Sequence, residues 1–124
     1  MRVSEAMEIT EATFASEVED SEVPVLVDFW AAWCGPCRAL GPAIEQEVDK
    51  RAGRLELLKL NVDAEPVIAR RYGIQSIPTV AVFRDGVAVT GFVGAYPAAT
   101  IGRFFDEQVL AETTAEAVTA GSER

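Results

Sequence analysis

The 124-residue sequence contains no histidine. This absence excludes a Ser-His or Cys-His catalytic pair and every metal site that uses a histidine ligand. Only two cysteines are present, Cys34 and Cys37. A structural zinc ion needs four ligands, so these two thiols could hold one only together with a second chain. Two cysteines also exclude the disulfide-dense class of secreted miniproteins.

Long apolar runs and an excess of positive charge are also missing. No stretch reaches the roughly 18 uncharged apolar residues that cross a bilayer, because the best candidate, residues 23–37, is shorter and contains Asp28. Residues 1–6 lack the apolar core of a signal peptide, so we expect a cytoplasmic protein. The net charge is −9, and no basic stripe is visible. Nucleic acid and anionic membranes are therefore poor partners.

Apolar periodicity and turn residues predict one α/β domain with the order helix, strand, helix, strand, helix, hairpin, helix. A strand–helix–strand unit implies parallel pairing, and the hairpin around Asp85-Gly86 adds antiparallel strands, so we expect a mixed sheet with helices on both faces. The functional site of such a sheet lies beyond the carboxyl end of a central strand. The predicted helices are 11–20, 34–52, 65–72 and a C-terminal one through 101–109, and the predicted strands are 25–30, 55–60, 79–83 and 87–90. Residues 111–124 are acidic and poor in apolar residues, and are predicted to form a flexible tail.

The two cysteines lie three residues apart, where the strand 25–30 gives way to a helix. Side chains at i and i+3 of a helix are neighbours, close enough for a disulfide. Cys37 lies on the apolar stripe of the helix and is predicted to be buried, whereas Cys34 lies at the helix mouth and is predicted to be exposed. The positive end of the helix dipole favours a thiolate at Cys34. This arrangement suits dithiol–disulfide exchange, in which Cys34 attacks a substrate disulfide and Cys37 releases the product.

Three other interpretations of the cysteine pair compete with redox chemistry. A zinc site would need a dimer, and two unrelated buried cysteines would not usually flank Gly-Pro at a strand-to-helix junction. A purely structural disulfide is disfavoured in a reducing cytoplasm, and so short a loop constrains the unfolded chain little. Redox chemistry is the interpretation that Cys-x-x-Cys favours in a strand–helix–strand context.

Residues 25–37 read Val-Leu-Val-Asp-Phe-Trp-Ala-Ala-Trp-Cys-Gly-Pro-Cys, which resembles the active-site segment of the thioredoxin family. The likeness covers about residues 8–110 in the family's order and spacing. Arg38 and Ser76 stand where family members often carry Lys and Gly. Further matching positions are Pro42, 59–63, 72–74, 77–79, Phe83, 85–86 and 93–95.

The resemblance implies a thioredoxin fold within residues 1–110, with a five-stranded mixed sheet flanked by four helices. It implies a protein-disulfide reductase that cycles through a Cys34–Cys37 disulfide, with Trp33, Gly35 and Pro36 completing the active-site loop. No bound cofactor and no metal are expected. The implied electron source is a thioredoxin reductase that uses NADPH. The implied clients are ribonucleotide reductase, peroxiredoxins and methionine sulfoxide reductases, and we expect a monomer.

Asp28 is a carboxylic acid within an apolar strand. Burial raises a carboxyl pKa, which suits a group that exchanges a proton near neutral pH. The alternatives are an Asp that caps a turn or one that pairs with Lys59. The resemblance implies that Asp28 helps to deprotonate Cys37, through a water, and that the nearby Lys59 tunes the acid.

Pro78 precedes a strand, where a proline can serve as a simple strand start. The resemblance instead implies a cis Ile77–Pro78 bond that faces the cysteines. Ile77 would then offer backbone groups to an extended substrate segment. A shallow groove would be completed by Trp33, Gly35, Val93, Gly94 and Ala95, although the sequence alone favours ordinary strand packing for Val93 and Ala95.

Two rival functions remain open from the sequence. An oxidase or isomerase would use the same chemistry, but Gly-Pro between the cysteines resembles the reducing members of the family, whereas isomerases typically carry a His there. A binding or chaperone-like module would use the groove without turnover, and would keep its activity when both cysteines are changed to Ser.

Overall fold

The computed structural model describes residues 7–111, which form one five-stranded mixed sheet with helices on both faces. The strand order is β1-β3-β2-β4-β5, so β2 is central. β1, β2 and β3 are parallel, whereas β4 is antiparallel to both β2 and β5. The strands are β1 (Met7–Glu8), β2 (Val25–Trp30), β3 (Glu56–Asn61), β4 (Thr79–Arg84) and β5 (Val87–Val93). The helices are α1 (Glu11–Phe14), α2 (Gly35–Asp49), α3 (Pro66–Arg71) and α4 (Ala98–Phe104), and single π-helical turns extend α1 through Ala15–Glu19 and α4 through Phe105–Val109.

The predicted mixed α/β sheet is confirmed, and most element boundaries agree within a few residues. The main element that the residue pattern did not predict is β1, because its two residues are too few to show an alternation of apolar and polar side chains. The helix predicted over 34–52 ends at Asp49 and is followed by turns up to Gly53. Residues 1–6 and 112–124 lie outside the described part of the chain, and so does nearly all of the predicted tail.

Both faces of β2 are covered, which explains its nearly continuous apolar sequence. Leu26 packs in a cluster with Ile44 of α2 and Ile101 of α4. Val27 and Phe29 point to the opposite face, into a cluster with side chains of α1 and α3. Because successive side chains of a strand alternate between faces, Asp28 shares the α2 face with Leu26.

A charged cluster fastens α4 to the last turn of α2. The Arg51 guanidinium binds the Asp106 carboxylate through Nε at 2.8 Å and Nη2 at 3.0 Å. Its Nη1 donates to Glu47 Oε1 at 3.0 Å, and its Nη2 to the Gly102 carbonyl at 3.2 Å. Burial alone would raise the pKa of Glu47, but hydrogen bonds from Lys50 and Arg51 outweigh it and lower that pKa. The cluster therefore satisfies a buried carboxylate at the contact between the two helices.

Candidate active site

The site begins at the loop that joins the carboxyl end of β2 to α2. Cys34 is the N-cap residue of α2, and its backbone N–H donates to the Ala31 carbonyl at 3.1 Å. Pro36 occupies the first turn, where its fixed φ suits a helix start and its missing N–H costs nothing. Arg38 Nη1 donates to the Ala32 carbonyl at 2.6 Å. This contact closes the loop against the first turn of the helix that presents the cysteines.

A disulfide joins Cys34 and Cys37, whose Cα atoms lie 5.3 Å apart. The Cys34 Sγ also accepts a hydrogen bond from the Cys37 backbone N–H at 3.1 Å. The sulfur thus takes the position of an N-cap side chain at a free amide of the first turn. An amide donor and the positive end of a helix dipole both favour negative charge on that sulfur once the disulfide is reduced.

The predicted burial of Cys37 is confirmed, whereas the prediction that Cys34 is exposed is wrong for the disulfide form. Cys34 is 3% exposed and Cys37 7% exposed. Both pack in one small cluster with Ala31, and Val62 and Ile77 lie against it. The disulfide holds the two sulfurs together beneath this cover, so position in the helix does not by itself set their relative exposure.

Asp28 lies on β2 with only 2% of its surface exposed, and its Oδ1 has no hydrogen-bond partner among the described residues. Burial raises the pKa of Asp28 to about 6, while the positive charge of Lys59 acts in the opposite direction. Glu8 and Glu45 add smaller contributions that raise it. The carboxyl group therefore titrates near neutral pH, in the range useful for proton exchange.

Lys59 lies on β3, directly across the parallel pair from Asp28. Its ammonium is 4.9 Å from the centre of the Trp30 ring, a cation–π contact. A Cβ added at Gly41 would be 3.9 Å from the Lys59 Nζ, so the ammonium also lies against α2, one turn beyond Cys37. The fold thus brings the acid and the lysine to the same face of the sheet as the helix that carries the cysteines.

The Ile77–Pro78 peptide bond is cis. The Pro78 carbonyl accepts a hydrogen bond from the Gly94 N–H at 2.9 Å, which ties the segment after β5 to the start of β4. Val93 is 56% exposed, and Ala95 is also exposed. A shallow cavity of about 390 Å³ lies beside the cysteines. It is lined by Trp33, Val62, Ile74, Gln75, Ser76 and Ile77, so it includes two of the predicted groove residues but not Val93, Gly94 or Ala95.

Sequence reasoning missed a partner of Trp33. The indole is 67% exposed, yet its Nε1 donates to Asp63 Oδ2 at 2.8 Å. Asp63 follows β3 in a turn in which Asn61 Oδ1 accepts from the backbone N–H groups of Asp63 and Ala64. The position of Asp63 in the sequence could have revealed this contact. Asp63 follows β3, the parallel neighbour of β2, and the carboxyl ends of parallel strands meet at one edge of the sheet.

Residues 7–111 offer neither a metal-binding cluster nor a membrane-spanning helix. Within this range no group of three or more His, Cys, Asp or Glu side chains is arranged to hold a metal ion. Over the same residues no helix is long and apolar enough to cross a membrane. The redox-active group in this part of the chain is the Cys34–Cys37 disulfide.

A Cys-x-x-Cys disulfide at the first turn of a helix, beyond the carboxyl end of the central strand of such a sheet, defines a dithiol–disulfide oxidoreductase. The chain belongs to the thioredoxin family, whose model, described as Thioredoxin, matches residues 5–107. It is 43% identical to thioredoxin 1 of Nostoc sp. over 107 residues, which are 86% of this chain and all of that protein. It is 49% identical to thioredoxin of Chlorobaculum thiosulfatiphilum over 102 residues, 82% of this chain and 94% of that protein.

A chloroplastic M-type thioredoxin of Chlamydomonas reinhardtii is 46% identical over 98 residues, which cover 79% of this chain and 70% of that protein. The predicted family and fold are therefore confirmed. The family and the disulfide at the Cys-x-x-Cys position together establish the chain as a thioredoxin-type protein-disulfide reductase.

Proposed function

We propose that Cys34 is the attacking thiol of this reductase and Cys37 the resolving thiol. The Cys34 thiolate attacks one sulfur of a client disulfide, a mixed disulfide forms, and the other client sulfur leaves as a thiolate. Cys37, once deprotonated, then attacks the Cys34 Sγ, which closes the Cys34–Cys37 disulfide and expels the second client thiolate. Two electrons pass to the client, and each client thiolate takes up a proton. The observation that carries the assignment is the hydrogen bond from the Cys37 N–H to the Cys34 Sγ.

Asp28 is proposed to accept the proton of Cys37 before the resolving step and to return it in the reverse direction. Its burial, the unpartnered Oδ1 and a pKa of about 6 support this role. The expected path runs through a water molecule between the carboxylate and the thiol. Lys59 stabilises the charged carboxylate from the adjacent strand, and so sets the pH at which Asp28 can act as a base.

The client is proposed to bind along the surface formed by Trp33, Ile77, Pro78 and the segment 93–95. Ile77 offers backbone groups to an extended peptide, as in strand addition. The cavity beside Trp33 and Ile77, together with the exposed Val93, provides apolar contact area for a client segment. Gly35 and Pro36 keep the loop free of bulky side chains at the point of attack.

The proposed partners follow from the family. A thioredoxin reductase supplies electrons from NADPH, and the clients are oxidised proteins of the ribonucleotide reductase, peroxiredoxin and methionine sulfoxide reductase types. We propose that the protein works as a monomer in the cytoplasm, as an electron carrier rather than as a partner of nucleic acid or membrane.

The test of the cycle is the reduction of insulin disulfides, first with dithiothreitol as electron donor and then with NADPH and a bacterial thioredoxin reductase. The expected result is turnover in both assays and none with the double variant Cys34→Ser/Cys37→Ser. Activity with dithiothreitol but not with the reductase would overturn the proposed electron source. A binding module would instead show no turnover in either assay, and its binding of client proteins would survive in the double variant.

The proposed roles of the two thiols are tested with single variants. Immobilised Cys37→Ser should retain client proteins from an oxidised extract as mixed disulfides that dithiothreitol releases, because it lacks the resolving thiol. Cys34→Ser is the matched control and should retain none. Equal trapping by both variants would contradict the assignment.

A further inference from the structure

Glu8, on the edge strand β1, belongs to a row of charged side chains that crosses three strands. In the registers of the sheet, Glu8 pairs with Lys59, and Lys59 pairs with Asp28. Residues directly opposite each other in a sheet point to the same face, so all three side chains lie on the α2 face. The Ile9 N–H donates to the Lys59 carbonyl at 2.8 Å and fixes this register, although β1 has only two residues.

The Glu8 side chain also binds the aromatic residue at the end of β2. The Trp30 Nε1 donates to Glu8 Oε1 at 3.3 Å. The face of the same indole lies over the Lys59 ammonium, 4.9 Å from the ring centre. Glu8 therefore fixes the edge of a ring whose face contacts Lys59, and Lys59 is the cation opposite Asp28.

We propose that Glu8 is a positioning residue of the proton-transfer site, which holds Trp30 over Lys59 and places a second negative charge beside the Lys59–Asp28 pair. Glu8 touches neither the cysteines nor the client; it acts through Trp30 and Lys59. This inference rests on the proposed role of Asp28 where activity is concerned, but its structural part can be measured separately. Nothing in the sequence pattern singles out Glu8, because its partners are 22 and 51 residues away.

The charged groups that face Asp28 are few within the described chain. Lys59 on β3 lowers the pKa of Asp28, whereas Glu8 on β1 and Glu45 on α2 raise it. On the other side of β2, the register partner of Asp28 is the apolar Val80 of β4. Removal of the Glu8 charge should therefore favour ionised Asp28 and lower its pKa. Glu8 and Asp28 lie two strand spacings apart, about 10 Å, and at this distance one charge changes a pKa by about 0.3–1 pH unit.

The experiment compares Glu8→Gln and Glu8→Ala with the parent protein. Glu8→Gln removes the charge but keeps an oxygen that can accept from the indole, whereas Glu8→Ala removes both. The exposed Glu22, in the loop before β2, offers the matched control Glu22→Gln, which removes the same charge far from the row. Carboxyl-carbon NMR of the oxidised proteins follows Asp28 without interference from the thiols, and the indole ¹H–¹⁵N signals follow Trp30.

In Glu8→Gln the Asp28 midpoint should fall by about 0.3–1 pH unit relative to Glu22→Gln, while the Trp30 indole signal keeps its position. In Glu8→Ala the Trp30 signal should move toward that of a solvated indole. An Asp28 midpoint that equals the control in both Glu8 variants, or a Trp30 signal that does not move in Glu8→Ala, overturns the proposal.

The pH profile of insulin reduction separates this inference from the proposed function. If Asp28 is the base for Cys37, the acidic limb of the Glu8→Gln profile should shift to lower pH by the same amount as the Asp28 midpoint. If both NMR signals respond as expected and the profile does not move, Glu8 positions the row as proposed, and the role of Asp28 as the base is wrong.

Discussion

The Trp33 indole nitrogen lies 2.8 Å from Asp63 Oδ2, although most of the Trp33 side chain is in solvent. A large exposed aromatic side chain is held by one hydrogen bond from a turn after β3. Its orientation beside the cysteines is therefore fixed by a residue 30 positions further along the chain.

Replacement of Asp63 by Ala should release the Trp33 indole and weaken client binding. A single exposed hydrogen bond contributes about 0.5–1.5 kcal/mol, so the KM for a protein substrate should rise by roughly 2–10-fold while kcat changes little. The Trp33 indole NMR signal should move at the same time. The control is Asp63→Asn, whose side-chain oxygen can still accept from the indole. A loss of kcat without a change in KM would show that Asp63 acts on the chemistry instead.

Alkylation of the reduced protein should label Cys34 first. The N-cap position gives the Cys34 sulfur an amide donor and the helix dipole, both of which favour the reactive thiolate. Iodoacetamide at neutral pH, followed by peptide mass mapping, measures the preference. Predominant labelling of Cys37 would reverse the two roles.

The variant Asp28→Asn should be more stable than the parent protein above pH 6. The pKa of Asp28 in the folded protein is about 6, against an ordinary value of 3.8, so folding favours the protonated carboxyl. The parent therefore loses stability as the pH rises through this window, by up to about 3 kcal/mol once ionisation is complete. The amide cannot ionise and escapes the loss. Urea unfolding at pH 4 and pH 7 should show the variant gaining on the parent as the pH rises.

The same substitution should slow disulfide reduction. A general base typically contributes about 10²–10⁴-fold, and unaided ionisation of Cys37 should keep the loss near the lower end. The deficit should shrink as the pH rises, because Cys37 then ionises without help. Equal turnover of Asp28→Asn and the parent from about pH 6 to 8 would leave Asp28 as a structural acid only.

Replacement of Gly102 in α4 by alanine should lower the melting temperature. A Cβ at Gly102 would lie 2.5 Å from Glu47 Oε1, which Arg51 holds in place. This clash should outweigh the gain of about 0.5–1 kcal/mol that alanine brings over glycine in the interior of a helix. Thermal unfolding measures the change, and a melting temperature at or above that of the parent would show that the charged cluster adapts freely.

Local features of the sequence predicted much of this fold and the position of the cysteine pair. The apolar run of β2 predicted a buried strand, Asp85-Gly86 predicted the hairpin, and both cysteines fell at the start of a helix. These features depend on neighbours a few residues apart, where backbone geometry and side-chain period act directly. The burial of Asp28 was also readable, because it lies in the middle of an apolar strand with both faces covered.

Contacts between distant residues could be decided only by the tertiary structure. β1 is too short to show an alternation of apolar and polar residues, and it forms because its backbone pairs with β3. The low exposure of Cys34 arises from the disulfide and from the cover of Ile77 and Val62, not from its place at the helix mouth. Likewise, Asp63 meets Trp33, and Glu8 meets Trp30 and Lys59, through the sheet order β1-β3-β2. The sequence by itself therefore determined the redox pair, its helix and the buried acid. The surroundings of these groups set their orientation and proton affinity, and they depend on the order and register of the strands. Strand order and register join residues far apart in the chain, so the local periodicity of apolar residues does not encode them.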